Sequence, residues 1–264
     1  MAGYRRVMSA LVELLSDEAI GLDVRAADWQ EAVTAAGRLL EETGVADAPY
    51  TRSMIDNVTE NGPYIVIAPG FAFAHARPSE AVHRTGLSWV RLAEPVEFGH
   101  PGNDPVTLVV ALAAKDDDAH TQAMAQLAKV IGDPASKAAL DAATTPAEVK
   151  AALGGESEQA PAESTGSASS RNLILTVCGN GLGTSLFLKN TLEQVLDRWG
   201  WSPYLTVEAT DTISARGKAK DADLILTSGE IARTLGDVGI PVKVIENFTS
   251  TTELDAAMRE LYDV

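Results

Sequence analysis

Two residues of this 264-residue chain combine a reactive type with a setting that suits group transfer. Cys178 is the only cysteine. It follows the apolar run Leu173-Ile174-Leu175-Thr176-Val177 and opens Gly179-Asn180-Gly181-Leu182-Gly183-Thr184-Ser185. Strand, glycine-rich turn and helix start in that order aim successive backbone N–H groups, and the positive end of a helix, at one spot. Such a spot cradles a phosphate and lowers the pKa of a thiol held within it, so Cys178 is expected to carry a phosphoryl group. A lone cysteine can also be a small buried residue at a strand end; the glycines weigh against that reading. The second residue is His75, in Phe73-Ala74-His75-Ala76-Arg77-Pro78. It is placed after a strand, among small residues that leave its ring accessible. A neutral imidazole attacks phosphorus well at pH 7, and the phosphoimidazole it forms is a high-energy donor. Arg77 would neutralise the developing charge. His120 starts a helix behind Asp116-Asp117-Asp118: the helix dipole disfavours its imidazolium, while the acidic run favours it. A plain helix-start role for His120 stays open. His83 and His100 fall in expected loops and are read as solvated surface.

Two familiar phosphate loops do not fit the letters. A nucleotide-triphosphate loop needs Gly-x-x-x-x-Gly-Lys-Ser/Thr, and a dinucleotide fingerprint needs Gly-x-Gly-x-x-Gly. The run 179–184 supplies neither spacing, nor the lysine. A formal net charge of −16 argues against nucleic acid and anionic membrane surfaces as partners. One cysteine excludes a disulfide framework and a multi-cysteine zinc site, and neither a metal nor an organic cofactor is required by the chemistry above. No secretion signal is seen, and no apolar run reaches the ~18 residues of a membrane span. A cytoplasmic protein is expected.

The elements that must hold these residues divide into two α/β domains. Residues 154–171, rich in Gly, Ser, Ala and Glu, contain no large apolar side chain. Burial cannot offset their ordering entropy, so they are expected to be a flexible linker between a domain at 1–153 and another at 172–264. In the first, Asp28-Trp29-Gln30-Glu31 reads as a capping box before a helix with a core Trp29. A short helix should run through Met54 and Val58 to Asn61-Gly62, and strands are predicted over 64–67, 86–92 and a central 106–112. A helix carries His120, Met124, Leu127, Ala128 and Ile131 on one face, and Thr145-Pro146-Ala147-Glu148 caps the last helix. The result is a mixed sheet with helices on its faces. In the second domain, strands over 173–177, 204–207, 224–227 and 242–245 alternate with helices over 185–199, 213–218 and 231–235, and Ser250 caps a final helix. That alternation predicts a doubly wound, four-stranded parallel sheet whose ligands gather at the C-terminal strand ends, where Cys178 sits.

The Cys178 loop resembles the Cys-x5-Arg-Ser loop of low-molecular-weight tyrosine phosphatases, but Thr184 stands where they have arginine. Without that bidentate clamp the loop would accept and hand on a phosphoryl group yet hydrolyse it poorly. An arsenate reductase would need further cysteines. The stretch 177–186 is more similar to enzyme IIB proteins of the bacterial phosphotransferase system, of the ascorbate and galactitol type, whose loop reads Cys-Gly-x-Gly-x-Gly-Thr-Ser. The resemblance covers 172–264. It implies that Cys178 is transiently phosphorylated and that Gly179, Asn180, Gly181, Leu182, Gly183, Thr184 and Ser185 hold the phosphoryl oxygens; for Thr184 and Ser185, helix N-capping stays open beside that role. Ala74-His75-Ala76-Arg77-Pro78 likewise resembles the Ala-His-x-Arg-Pro motif of enzyme IIA domains of the mannitol–fructose type, in their ascorbate-related branch, over roughly 11–153. That resemblance implies that His75 takes phosphate from the carrier HPr and that His120 positions the group, with Glu60 and Asn61 as weaker candidates to line the pocket.

Together the two resemblances imply a fused IIA–IIB phosphotransferase, passing phosphate from HPr to His75, then Cys178, then a carbohydrate brought by a separate membrane IIC permease at which the chain docks peripherally. L-ascorbate is the implied sugar, with galactitol or a pentitol as alternatives; a homo-oligomer is left open. Tethering the two carriers raises the effective concentration of one at the other. A regulatory sensor of phosphorylation state is the second reading. It calls for a DNA-binding helix-turn-helix or a basic patch, and the chain has neither.

Overall fold

In the computed structural model, residues 10–154, 172–178 and 183–262 are described. The expected linker falls at 155–171 apart from Gly154, so it lies outside the described residues, as do Gly179 to Leu182 of the Cys178 loop.

The first unit is a five-stranded mixed sheet with helices on both faces. Its strands are β1 (Ile20–Val24), β2 (Val66–Ala68), β3 (Phe71–His75), β4 (Gly86–Val96) and β5 (Val106–Ala113), in the order β1-β4-β5-β3-β2. β1 runs parallel to β4 and β3 parallel to β5, whereas β4–β5 and β2–β3 are antiparallel. Its helices are α1 (Ala10–Leu14), α2 (Trp29–Glu42), α3 (Ala48–Asn61), α4 (Asp117–Gly132), α5 (Pro134–Ala142) and α6 (Pro146–Leu153). The central position read for the Val106 run is confirmed. Sequence periodicity missed β1 and β3, and a five-residue strand such as β3, buried on both faces, shows no alternation to read. Gly70 makes the β2–β3 reversal at φ +74°, a left-handed conformation that glycine adopts without strain.

Caps act largely as the letters suggest. Asp28 accepts the Glu31 N–H at 2.8 Å, although Glu31 returns its bond to Ala27 N–H rather than to the cap residue. Thr145 and Glu148 form the full reciprocal box at the start of α6. Trp29 is only half-buried and leans on Phe98, ring centroids 6.4 Å apart.

The second unit is a four-stranded, all-parallel sheet of β6 (Leu173–Cys178), β7 (Thr206–Asp211), β8 (Leu224–Thr227) and β9 (Val242–Val244), in the order β7-β6-β8-β9. α7 (Gly183–Trp199) and α10 (Thr251–Tyr262) cover one face. α8 (Thr212–Lys218) and α9 (Gly229–Leu235) cover the other, over Leu175, Val177 and Ile225. This is the doubly wound parallel sheet the alternation predicts.

The two units pack against each other. A single apolar cluster runs from Phe71, Phe73 and Met124 of the first unit into Phe187, Leu188 and Leu192 of the second. Phe187 is buried, its ring centroid 6.3 Å from that of Phe71 and 5.7 Å from that of Phe73. Hydrogen bonds cross the interface from Phe248 N–H to the Ile67 carbonyl at 3.0 Å and from Asn103 Nδ2 to the Glu246 carbonyl at 2.8 Å.

Candidate functional site

His75 ends β3 rather than following a strand, and pairs with Leu112 of β5. Side chains alternate along a strand, so His75 shares the face of Phe71 and Phe73, the face that meets the second unit. Its ring stacks on Phe73 at 5.3 Å between centroids, tilts against His120 at 5.6 Å and meets the edge of Tyr64 at 6.1 Å. The accessible ring expected from its small neighbours is therefore corrected: His75 is only 3% exposed, because the aromatic face and the second unit close over it.

Burial, and secondarily the like charge of His120, pull the His75 pKa down to about 4, against a smaller upward pull from the Phe73 carbonyl. The ring is thus neutral at pH 7. His75 Nδ1 lies 3.1 Å from the Phe73 carbonyl oxygen. A carbonyl can only accept, so Nδ1 carries the proton and Nε2 holds the free lone pair. That tautomer leaves Nε2 as the ring nitrogen able to act as a nucleophile.

The strand end is pinned from behind by Tyr50 of α3. Its buried hydroxyl accepts the Ala76 N–H at 3.1 Å and donates to the Leu112 carbonyl at 2.7 Å, with the Ala76 carbonyl 3.0 Å away. Tyr50 therefore fixes the residues on both sides of the His75 pairing. His120 is buried in the first turn of α4, whose cap Asp116 accepts the Ala119 N–H at 2.8 Å. Met124, Leu127, Ala128 and Ile131 follow it along the buried face, as read from their spacing.

Cys178 ends the central strand β6 beside Asp211 of β7. Thr176 Oγ1 donates to the Ser185 carbonyl at 2.9 Å, which ties the strand to the start of α7, and Thr227 Oγ1 donates to the Val177 carbonyl at 2.7 Å. Cys178 Sγ is buried, 3.4 Å from Ser185 Oγ. Burial raises the thiol pKa, and the hydrogen bonds from Ser185 and Thr184 only partly oppose it. The lowered pKa expected of a thiol in a glycine nest is thus corrected, since desolvation outweighs the donors in the closed arrangement. α7 begins at Gly183, so buried Thr184 and Ser185 stand inside its first turn instead of capping it.

The two sites share one interface. The ionisation of Tyr64, which touches the edge of His75, is opposed first by burial and then by the charge of Cys178. Asp211, next to Cys178, would be raised by burial; bonds from Ser214 and Ile213, together with the charge of Arg77, outweigh this and hold its carboxyl below the usual range. Arg77 is exposed at the rim. Glu60 and Asn61 stay apart: both are exposed, and Asn61 Nδ2 donates to the Asn57 carbonyl within its own helix at 2.9 Å. His83 is half-exposed and pairs with Asp47 at 2.9 Å. His100 is buried, contrary to the surface reading: its Nδ1 accepts the Gly102 and Asn103 N–H groups and shapes the loop that presents Asn103 to the second unit. Among the described residues no His/Cys/Asp/Glu group suited to a metal occurs.

Fold and site together define a group-transfer protein of two α/β units, one bringing an imidazole and the other a thiol to a common interface. Residues 13–154 match the family described as phosphoenolpyruvate-dependent sugar phosphotransferase system, EIIA 2. Residues 173–260 match that described as PTS system, lactose/cellobiose specific IIB subunit. The first match spans more than half of the chain, and the protein belongs to the EIIA 2 family of that system, with a IIB unit on the same chain. It is a phosphotransferase, a phosphoryl-transfer component of sugar uptake. The ascorbate-specific PTS system EIIA component of Salmonella choleraesuis (strain SC-B67) is 39% identical over 137 residues, 52% of this chain and 89% of that protein. Its counterpart in Escherichia coli (strain K12) is 42% identical over 109 residues, 41% of this chain and 71% of that protein. Among solved structures, the mannitol-specific cryptic phosphotransferase enzyme IIA CmtB from Escherichia coli aligns at a TM-score of 0.49 with 30% identity, covering 55% of this chain and 97% of that one.

Proposed function

We propose that the chain relays a phosphoryl group from the phosphohistidine of HPr to His75, from His75 to Cys178, and from Cys178 to a carbohydrate. The observation that carries the reading is the burial of His75 against Phe73, which packs on Phe187 of α7, the helix whose first turn bonds the buried Cys178 through Ser185. In the first step His75 Nε2 attacks phosphorus and the HPr imidazole leaves with its bonding electron pair. In the second, Cys178 Sγ attacks as the thiol gives up its proton to solvent, and the Nε2–P bond breaks with its electron pair returning to Nε2, which restores the neutral Nδ1–H ring. His120, ring to ring with His75, positions the phosphoryl group. Ser185, Thr184 and the 179–183 loop hold it on sulfur, and Arg77 neutralises charge at the rim. The sugar then takes the group from Cys178 on a membrane IIC permease carried by another chain. In this reading the protein works in the cytoplasm, docked at that permease. No helix among the described residues is long and apolar enough to cross a membrane.

L-ascorbate is the proposed sugar, supported by the names of the relatives of the first unit and by the Cys-Gly-x-Gly-x-Gly-Thr-Ser letters of an ascorbate and galactitol-type IIB. The match of the second unit favours lactose or cellobiose as the competing reading. Incubation with labelled phosphoenolpyruvate, enzyme I and HPr tests the order of transfer. His75→Ala should take no label, and Cys178→Ser should hold acid-labile phosphohistidine only. Label reaching Cys178 in His75→Ala would overturn the order. Uptake of ascorbate, galactitol, lactose and cellobiose with the cognate IIC decides the sugar.

A further inference from the structure

We propose that Tyr64 is a catalytic residue of the transfer between the two units, its hydroxyl donating a hydrogen bond to a phosphoryl oxygen as the group passes from His75 Nε2 to Cys178 Sγ. The inference rests on the relay reading and adds to it a group that neither motif contains. Tyr64 sits in the turn between α3 and β2, its N–H bonded to the Gly62 carbonyl at 2.9 Å. Its side chain is only 7% exposed, and its ring lies edge-on to His75 at an interplanar angle of 85°. The charge of Cys178 is, after burial, a second cause opposing the ionisation of Tyr64. Its ring therefore stands beside the imidazole whose bond to phosphorus breaks, where Phe73 of the first unit meets Phe187 of the second.

Two further observations distinguish it from a packing tyrosine. The neighbouring Tyr50 hydroxyl is committed to backbone groups of Ala76 and Leu112, whereas the Tyr64 hydroxyl makes no hydrogen bond among the described residues. Burial and the neighbouring Cys178 and Tyr50 also keep Tyr64 protonated well above its ordinary range, so it stays a donor at any working pH. A donor already in place beside charge that spreads over the equatorial oxygens stabilises a phosphoryl-transfer transition state without reorganisation. Arg77 cannot replace it from an exposed position at the rim.

The test is a rapid-quench experiment on the full chain mixed with labelled phospho-HPr, resolving phosphohistidine from phosphocysteine with time. Tyr64→Phe keeps the ring and removes only the hydroxyl. Phosphocysteine formation, taken relative to His75 loading, is expected to slow by roughly 10- to 100-fold, with phosphohistidine accumulating. Fluorotyrosine at position 64, which restores a hydroxyl, should recover the rate. An unchanged ratio in Tyr64→Phe would overturn the assignment while leaving the relay intact. An equal slowing of loading and transfer would show a structural role and also overturn it. Wild-type protein that loads His75 but never forms phosphocysteine would bring down the relay reading itself, and the assignment with it.

Discussion

Acid should separate the two units through His75. Its pKa lies near 4 in the folded chain, against an ordinary value of 6.5, chiefly because burial penalises the imidazolium. Between those values the unfolded chain binds a proton that the folded chain excludes, so stability is full above pH 6.5 and falls as the pH drops toward 4. The full gap corresponds to about 3 kcal/mol, and about 2 kcal/mol of it is already lost at pH 5. His75→Gln fills similar space without a titrating ring. The stability difference between wild type and His75→Gln, read from urea unfolding, should therefore shift by about 2 kcal/mol against the wild type between pH 7.5 and pH 5. Titrating groups other than His120, which is coupled to His75, cancel in that comparison. An NMR titration of the His75 ring gives the direct check: it should stay neutral through pH 5, and His120→Gln should move its midpoint upward by removing the second cause of the depression. A His75 midpoint near 6.5, or a stability difference that does not change with pH, would refute the burial argument.

Tyr50→Phe should cost about 1–3 kcal/mol in denaturant unfolding, because the buried Ala76 N–H and Leu112 carbonyl lose their partner. Gly37→Ala should cost a similar amount, about 1–3 kcal/mol, through overpacking: a Cβ there would fall inside the Thr51 side chain where α2 crosses α3. The raised Cys178 pKa predicts slow alkylation by iodoacetamide at neutral pH, with a rate that keeps climbing past the ordinary thiol value of 9.0. Asn103→Ala, which deletes the hydrogen bond to Glu246, should speed that alkylation at fixed pH while far-UV circular dichroism stays constant.

Much of this could be read from the letters because it depends on neighbours in sequence. Thr145 and Glu148 cap α6 reciprocally, and Met124, Leu127 and Ile131 bury one stripe of α4. The regular strand–helix alternation of the second unit specifies a parallel sheet, since parallel strands need a crossover and the crossovers are the helices. Cys178 at the C-terminal end of its first strand follows from the same pattern. His75 and Cys178 stand out by residue type and setting alone.

What the sequence could not show depends on residues far apart in the chain. Periodicity places a side chain on a face but does not say what will cover that face, so His75 reads as accessible until Phe73, His120 and the second unit close over it. Burial also decides a sign: a glycine-rich nest alone would lower the thiol pKa, and desolvation in the folded chain raises it. Tyr50 and Tyr64 read as helix and strand letters, and only packing brings one hydroxyl behind His75 and the other ring edge-on to it. The sequence by itself determined which two nucleophiles the chain carries and which elements bear them. Tertiary structure decided that both are buried, the imidazole neutral and the thiol pKa raised, because desolvation and docking arise from surfaces that meet only when the chain has folded.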